Sequence, residues 1–226
     1  MLEEIRNNVD FFIRNTTKFS RKDFIEKDEA LLERNRLENL YTEDILNQFF
    51  TKEKRNHTKI LDIGCKNWFY AKGEYDFFKS FCSNFSLDGV ELDAHRLYSN
   101  FYSRIEVAKF YTKNLKNTKY IAGDLLELEE KYDFIIWILP FVTPSPLKLW
   151  GLPGKYFCPK KLLDHAFKLL NNNGQMLIIN QGENEALIQQ ELLKDLKIPF
   201  TPLGEIKSEH FEYQHPRFGY LVKKQG

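Results

Sequence analysis

The sequence predicts an α/β fold in which a mostly parallel sheet carries helices on both faces, and three stretches predict it. Lys59 to Asp93, KILDIGCKNWFYAKGEYDFFKSFCSNFSLDGVELD, reads as strand, tight turn, helix and strand. That order forms a βαβ unit, whose ligand crevice lies at the carboxyl ends of the strands. Tyr132 to Phe141, YDFIIWILPF, is nearly continuously apolar, as a strand covered on both faces of a parallel sheet must be. Glu209 to Gln214 and Phe218 to Lys223 run apolar or alternate around HPR, which reads as a closing hairpin.

The elements follow in order. Leu2 to Arg14 carries Leu2, Ile5, Val9, Phe12 and Ile13 at helical spacing, and after the polar break NTTKFSRKD the stretch Asp23 to Phe50 has the same period, with a restart at Thr42. Residues 1–56 therefore read as a helical extension or cap, with nearly balanced charges, before a domain over 57–226. The first strand, Lys59 to Ile63, ends at Gly64, where the backbone can approach a ligand closely. The second strand, Leu87 to Leu92, ends in Glu91 and Asp93, and a carboxylate there can accept both hydroxyls of a ribose. The crevice thus favours an adenosine-type ligand. Ala94 to Asn117 reads as helix, and Tyr120 to Gly123 as a third strand followed directly by Asp124, which also suits a helix cap.

Thr143 to Lys161, TPSPLKLWGLPGKYFCPKK, holds four of the eight Pro and the lysines Lys148, Lys155, Lys160 and Lys161 with no acid. It reads as a loop that cannot be helix or interior strand. At the crevice edge such a loop is either a lid or substrate-binding element, with Trp150, Tyr156 and Phe157 as an aromatic wall, or an ordinary solvated connection. Leu162 to Leu170 is a helix, NNNG turns the chain at Asn171 to Gly174, and Gln175 to Asn180 is the fifth strand. Gln181, Gly182 and Glu183 stand at its carboxyl end, and Glu185 to Leu196 is the next helix.

Composition narrows the function classes. A chain of 226 residues can bury a full core without metals or disulfides. Most of its 20 Phe belong in that core. A formal charge of +1 gives no global attraction to nucleic acid or anionic membranes. Cys65, Cys82 and Cys158 contain no CxxC pair and fit a reducing compartment. The acidic start shows no signal peptide and no window approaches a membrane span, so a cytoplasmic protein is expected. The five His show no metal-ligand spacing, and no metal is expected.

Asp62, Ile63 and Gly64, with the acid at Glu91, resemble motif I and the acidic second motif of the class I S-adenosylmethionine-dependent methyltransferases. The resemblance covers roughly residues 57–224 and implies a Rossmann-like sandwich with a seven-stranded, mostly parallel sheet and a C-terminal antiparallel hairpin. The family's second and third glycines are here Lys66 and Trp68, so a less common turn shape is expected. The cofactor residues implied are Asp62, Gly64, Cys65, Lys66 and Asn67 in the turn, Glu91 and Leu92 at the ribose, and Asp124 and Leu125 at the adenine, with Ile138 closing the fourth strand. Where DNA and protein amide methyltransferases carry Asn or Asp before Pro-Pro-Tyr, this chain has Ile138, Leu139, Pro140 and Phe141, which argues against methylation of an adenine amine. The expected acceptor is a small molecule or a side-chain nucleophile, with a mild preference for anions, gripped by Phe141, Lys148, Trp150 and Tyr156. Trp68, Phe69 or Tyr70 either face the sulfonium or pack the first helix. No catalytic base is identified; Glu183, His210 and His215 stand where one would be. The rival readings are an inactive methyltransferase-like binding module and another enzyme on the same fold, such as a nicotinamide oxidoreductase or an aminopropyl transferase. The absence of GxGxxG opposes the nicotinamide version.

Overall fold

The structure is a computed structural model and describes residues 3, 29–53, 56–98 and 101–226. The helix expected over Leu2 to Arg14, the polar break after it and the start of the Asp23 to Phe50 stretch lie outside the described residues. In chain order the elements are α1 (Glu29–Phe49), β1 (Thr58–Ile63), α2 (Ala71–Lys79), β2 (Phe85–Glu91), α3 (Arg104–Thr112), β3 (Thr118–Ala122), β4 (Tyr132–Ile138), α4 (Pro144–Leu149), α5 (Pro159–Leu169), β5 (Leu170–Gln181), α6 (Gly182–Asp195), β6 (Phe200–Ile206) and β7 (Arg217–Lys223). Among the described residues they build one seven-stranded sheet in the order β3-β2-β1-β4-β5-β7-β6. Only β7 runs antiparallel to the strands beside it, β5 and β6. The order reverses between β1 and β4, and at such a switch point the strand ends open a crevice.

The core follows from strand composition. Ile60, Phe134, Ile136, Leu177 and Ile179 face one layer, packed against Phe77, Phe78 and Trp68 from α2 and its preceding turn. Leu61, Ile63, Ile135, Trp137, Met176 and Ile178 face the other, against Leu163 and Ala166 of α5 and Ala186 and Leu193 of α6. Tyr41, Ile45 and Leu46 of α1 join the first layer, so the helix before β1 is docked on the sheet domain.

Five expectations need correction. The helix does not restart at Thr42: α1 is continuous, and the Thr42 hydroxyl donates to the Glu38 carbonyl at 2.8 Å. The Ala94 to Asn117 helix shrinks to α3, with turns before it, because Ser103 and Glu106 form a capping box that sets the start. The Pro-rich stretch does contain helix. Pro144 and Pro159 open α4 and α5, where a missing N–H costs nothing because the first amides of a helix have no partner in any case. NNNG is not a turn between elements but the irregular start of β5, with Asn173 N donating to the Lys224 carbonyl. Finally, the first strand of the terminal hairpin is Phe200–Ile206, not Glu209 to Gln214, which lies in the connection.

Candidate functional site

The carboxyl ends of β1, β2, β4 and β5 floor a cavity of about 1250 Å³, roofed by α1 on one side and by the 139–161 segment on the other. At the β1–β3 end, the turn after β1 is held in an unusual backbone state. Gly64 has φ +73°, and Lys66 and Trp68 have φ +57° and +47°. The left-handed region costs a non-glycine residue roughly 1–2 kcal/mol, so the surroundings must hold it. Trp68 N donates to the Cys65 carbonyl at 2.8 Å, Lys66 N to Glu91 Oε2 at 2.9 Å, and Tyr120 Oη to the Lys66 carbonyl at 2.5 Å. The Trp68 ring is fully buried against Gly89, where any Cβ would stand 2.8 Å from the indole and 2.9 Å from Cys65 Sγ. The alternating left-handed turn is therefore reached without the second and third glycines. Trp68 packs the turn and does not line the cavity, whereas Phe69 and Tyr70 do.

Beneath the turn lies a buried carboxyl pair. Asp62 Oδ2 accepts from Tyr70 Oη at 2.9 Å, and Glu74 Oε2 accepts from Trp68 Nε1 at 2.9 Å. The remaining oxygens, Asp62 Oδ1 and Glu74 Oε1, have no N–H or O–H donor. Burial pushes both carboxyls upward, Glu74 well above the usual carboxylate range. A proton on Glu74, donated to Asp62, satisfies both orphaned oxygens.

Glu91 is 7% exposed and at the cavity wall. Its Oε2 accepts from Lys66 N, and its Oε1 from Asp93 N at 2.8 Å and Arg104 Nη1 at 3.2 Å. The Trp150 ring lies across this group, 4.5 Å from the Arg104 guanidinium carbon and 5.2 Å from Lys66 Nζ. Arg96 holds the Trp150 carbonyl. The 144–152 segment is thus folded over Glu91.

Gly64, Lys66, Asn67, Glu91, Leu92, Asp124, Leu125 and Ile138 all line the cavity, as do Phe141, Trp150 and Tyr156. Asp124 Oδ1 also caps the following turn by accepting from Leu126 N at 2.9 Å. Three residues expected at the site are placed elsewhere. Asp62 and Cys65 lie fully buried behind the turn, with Tyr70 between Asp62 and the cavity. Lys148 is exposed on α4, outside the cavity wall, while Lys155 and Lys161 are in it. Glu183, His210 and His215 are exposed and do not line the cavity.

The β5–β7 end carries residues the sequence did not single out: Tyr41, Glu185, Tyr213 and Arg217. Gln181 and Arg217 are register partners across β5 and β7, and Arg217 Nη1 donates to Gln181 Oε1 at 3.0 Å. The Arg217 guanidinium carbon stands 4.4 Å from the Tyr213 ring centroid, and burial lowers its pKa. Only the pairing register brings these groups together, so no local motif could have announced them.

Seven strands in this order, with a reversed last pair and a cofactor-sized crevice at the switch point, define the class I methyltransferase fold. Known structures agree. A SAM-dependent methyltransferase from Aquifex aeolicus superposes with a TM-score of 0.59 at 16% identity, over 91% of this chain and 98% of that one. The magnesium protoporphyrin IX methyltransferase from Synechocystis, solved with bound SAM, gives 0.52 at 11% identity over 97% of each chain. No family model and no curated protein matches the sequence. At these identities the likeness establishes the fold. Among the described residues, no helix is long and apolar enough to cross a membrane.

Proposed function

We propose that the protein binds S-adenosylmethionine at the β1–β3 end of the cavity and transfers its methyl group to a nucleophile entering from the β5–β7 end. The observation that carries this reading is the left-handed turn at Gly64, Lys66 and Trp68 set directly against the Glu91 carboxylate. In this reading Glu91 receives the ribose hydroxyls, Leu92 and Leu125 enclose the adenine, Asp124 meets its amino group, and Gly64 to Asn67 border the methionine moiety. Asp62 serves at one remove, by fixing Tyr70 in the wall. The sulfonium supplies an activated methyl, so the carbon–sulfur bond breaks as the acceptor's lone pair forms the new bond, and the electron pair stays on sulfur. The chain's own contribution is placement and exclusion of water. Ile138, Leu139, Pro140 and Phe141 give the reaction space an apolar wall with no fixed acceptor for an amide nitrogen. In this reading α1 is the cap, through Arg34, Asn35, Glu38, Tyr41 and Thr42, over a catalytic domain that begins near residue 57.

A specific observation favours a second reading, a methyltransferase-like binding module without turnover. Glu91 already accepts three hydrogen bonds from the chain itself, which leaves its carboxylate about one site for the two hydroxyls of a ribose. The deciding experiment incubates the protein with S-adenosylmethionine carrying a radiolabelled methyl group and a fractionated small-molecule extract. Label leaving the cofactor for an extract component, with release of S-adenosylhomocysteine, supports the enzyme. Binding of S-adenosylhomocysteine without such transfer supports the module.

A further inference from the structure

The β5–β7 end of the cavity contains a cation, Arg217, that no carboxylate of the described residues touches. Arg217 lines the wall, and among the described residues no carboxylate lies within 4 Å of it. Its single side-chain hydrogen bond goes to the neutral Gln181 amide, which leaves the other N–H groups of the fork without a protein acceptor. Glu185 and Glu38 reach Arg217 only as charges at longer range, and each contacts another group directly. Glu38 pairs with Arg34 at 2.7 Å, and Glu185 accepts from Gln181 N at 3.2 Å. The Tyr213 ring stacks on one side of the guanidinium and holds its plane.

A second group points to the same ligand. Tyr41 is 4% exposed, lines the cavity, and its hydroxyl has no hydrogen-bond partner. Its ring meets Tyr213 edge-on, with centroids 5.1 Å apart, so it belongs to the cluster around Arg217. The hydroxyl stays a neutral donor in neutral solution, since burial raises its pKa to about 12. An orphaned buried donor destabilises the fold, and an unpaired guanidinium in a partly dry wall does so more. Both costs vanish when an anion arrives.

We propose that Arg217 and the Tyr41 hydroxyl form the receptor for a carboxylate on the methyl acceptor, a small organic acid whose nucleophile lies remote from the acid group. This rests on the methyltransferase reading and names its substrate class. The remoteness follows from the sheet. Arg217 opens β7, two strands from β4 and three from β1. At about 4.8 Å per strand, the carboxylate sits roughly 10–14 Å from the crevice over β1 and β4 where the methyl is delivered. The carboxylate is thus the handle and not the methylated atom. The wall between, built from Tyr70, Ile138, Phe141 and Ile179, suits an apolar or aromatic body.

The test is calorimetric titration with matched acid and alcohol pairs: phenylpropionate with phenylpropanol, hexanoate with hexanol, and benzoate with benzyl alcohol. Each is titrated into free protein and into protein saturated with S-adenosylhomocysteine, for the wild type, Arg217→Gln and Tyr41→Phe, whose melting points report folding. The expected result is at least one acid binding ~10-fold more tightly than its alcohol, as a charge-assisted pair provides. Arg217→Gln abolishes that preference, Tyr41→Phe reduces it, and S-adenosylhomocysteine affinity stays unchanged in both. Equal binding of acids and alcohols to wild type overturns the proposal, as does a preference that survives in Arg217→Gln. Loss of S-adenosylhomocysteine affinity in Arg217→Gln also overturns it, by assigning the arginine to the amino-acid carboxylate of the cofactor. Failure of the wild type to bind S-adenosylhomocysteine strikes the methyltransferase reading instead, while the free-protein titrations still decide the carboxylate receptor.

Discussion

Replacing Glu74 with Gln should remove a pH dependence of stability that the buried carboxyl pair builds into the fold. In the native protein Glu74 holds a proton between itself and Asp62, because burial and the neighbouring acid raise its pKa well above the ordinary 4.5. In the unfolded chain the same group ionises near its ordinary value. Between those two values Glu74 carries a proton in the native state that it lacks in the unfolded chain, so its contribution to stability is highest at low pH and falls as pH rises. The slope is about 1.4 kcal/mol per pH unit. Gln at position 74 keeps the geometry: its amide nitrogen can donate to Asp62 Oδ1 while its oxygen accepts from Trp68 Nε1. The variant has no proton to lose at that position. Urea unfolding at pH 6, 7, 8 and 9 measures the difference, and the advantage of Glu74→Gln over wild type should widen by about 1.4 kcal/mol for each unit until the native pKa is passed. A constant gap across the series would refute the shared proton.

Three further outcomes follow from the same geometry. Gly73 of α2 lies under α1, where a Cβ would stand 2.2 Å from the Asn39 carbonyl oxygen, so Gly73→Ala should destabilise by roughly 1–3 kcal/mol in chemical unfolding and loosen α1 toward proteolysis. Glu91→Gln should weaken S-adenosylhomocysteine binding by ~10-fold or more, the share of a charged acceptor, as read by calorimetry on a variant whose folding is checked by its melting point. Gly89→Ala, which drives a methyl into Trp68 and Cys65, should lower stability and cofactor affinity together, because the indole holds the turn that faces the ligand.

Much of the sheet was legible because buried parallel strands are marked by composition: the runs around Ile135 and Ile178 have no polar interruption to misread, and only Asp62 breaks the run around Ile60. Boundaries set by single side chains were harder. The Ser103 and Glu106 pattern was present in the sequence and fixes the start of α3, but helical periodicity upstream hid it. Pro144 and Pro159 were read as breakers when each stands at the helix position that tolerates it. The turn after β1 was expected to change shape when its glycines were lost. It holds left-handed backbone at the non-glycine Lys66 and Trp68, fixed by the Glu91 carboxylate and by the packing of Trp68 on Gly89. Arg217 and Tyr41 were invisible for a different reason. They are 176 residues apart in sequence, 217 less 41, and meet only because α1 docks beside the β5 and β7 ends.

The most direct test of the cofactor assignment is thermal unfolding of the full chain alone and with S-adenosylmethionine, S-adenosylhomocysteine or NAD. At about 100 times its dissociation constant, a ligand adds roughly 2.7 kcal/mol to the folded state and raises the melting point by a few degrees. A rise with both adenosyl compounds, absent with NAD and cut to about half or less in Glu91→Gln, is the predicted result. A flat response to both adenosyl compounds, or a rise with NAD alone, would contradict the account.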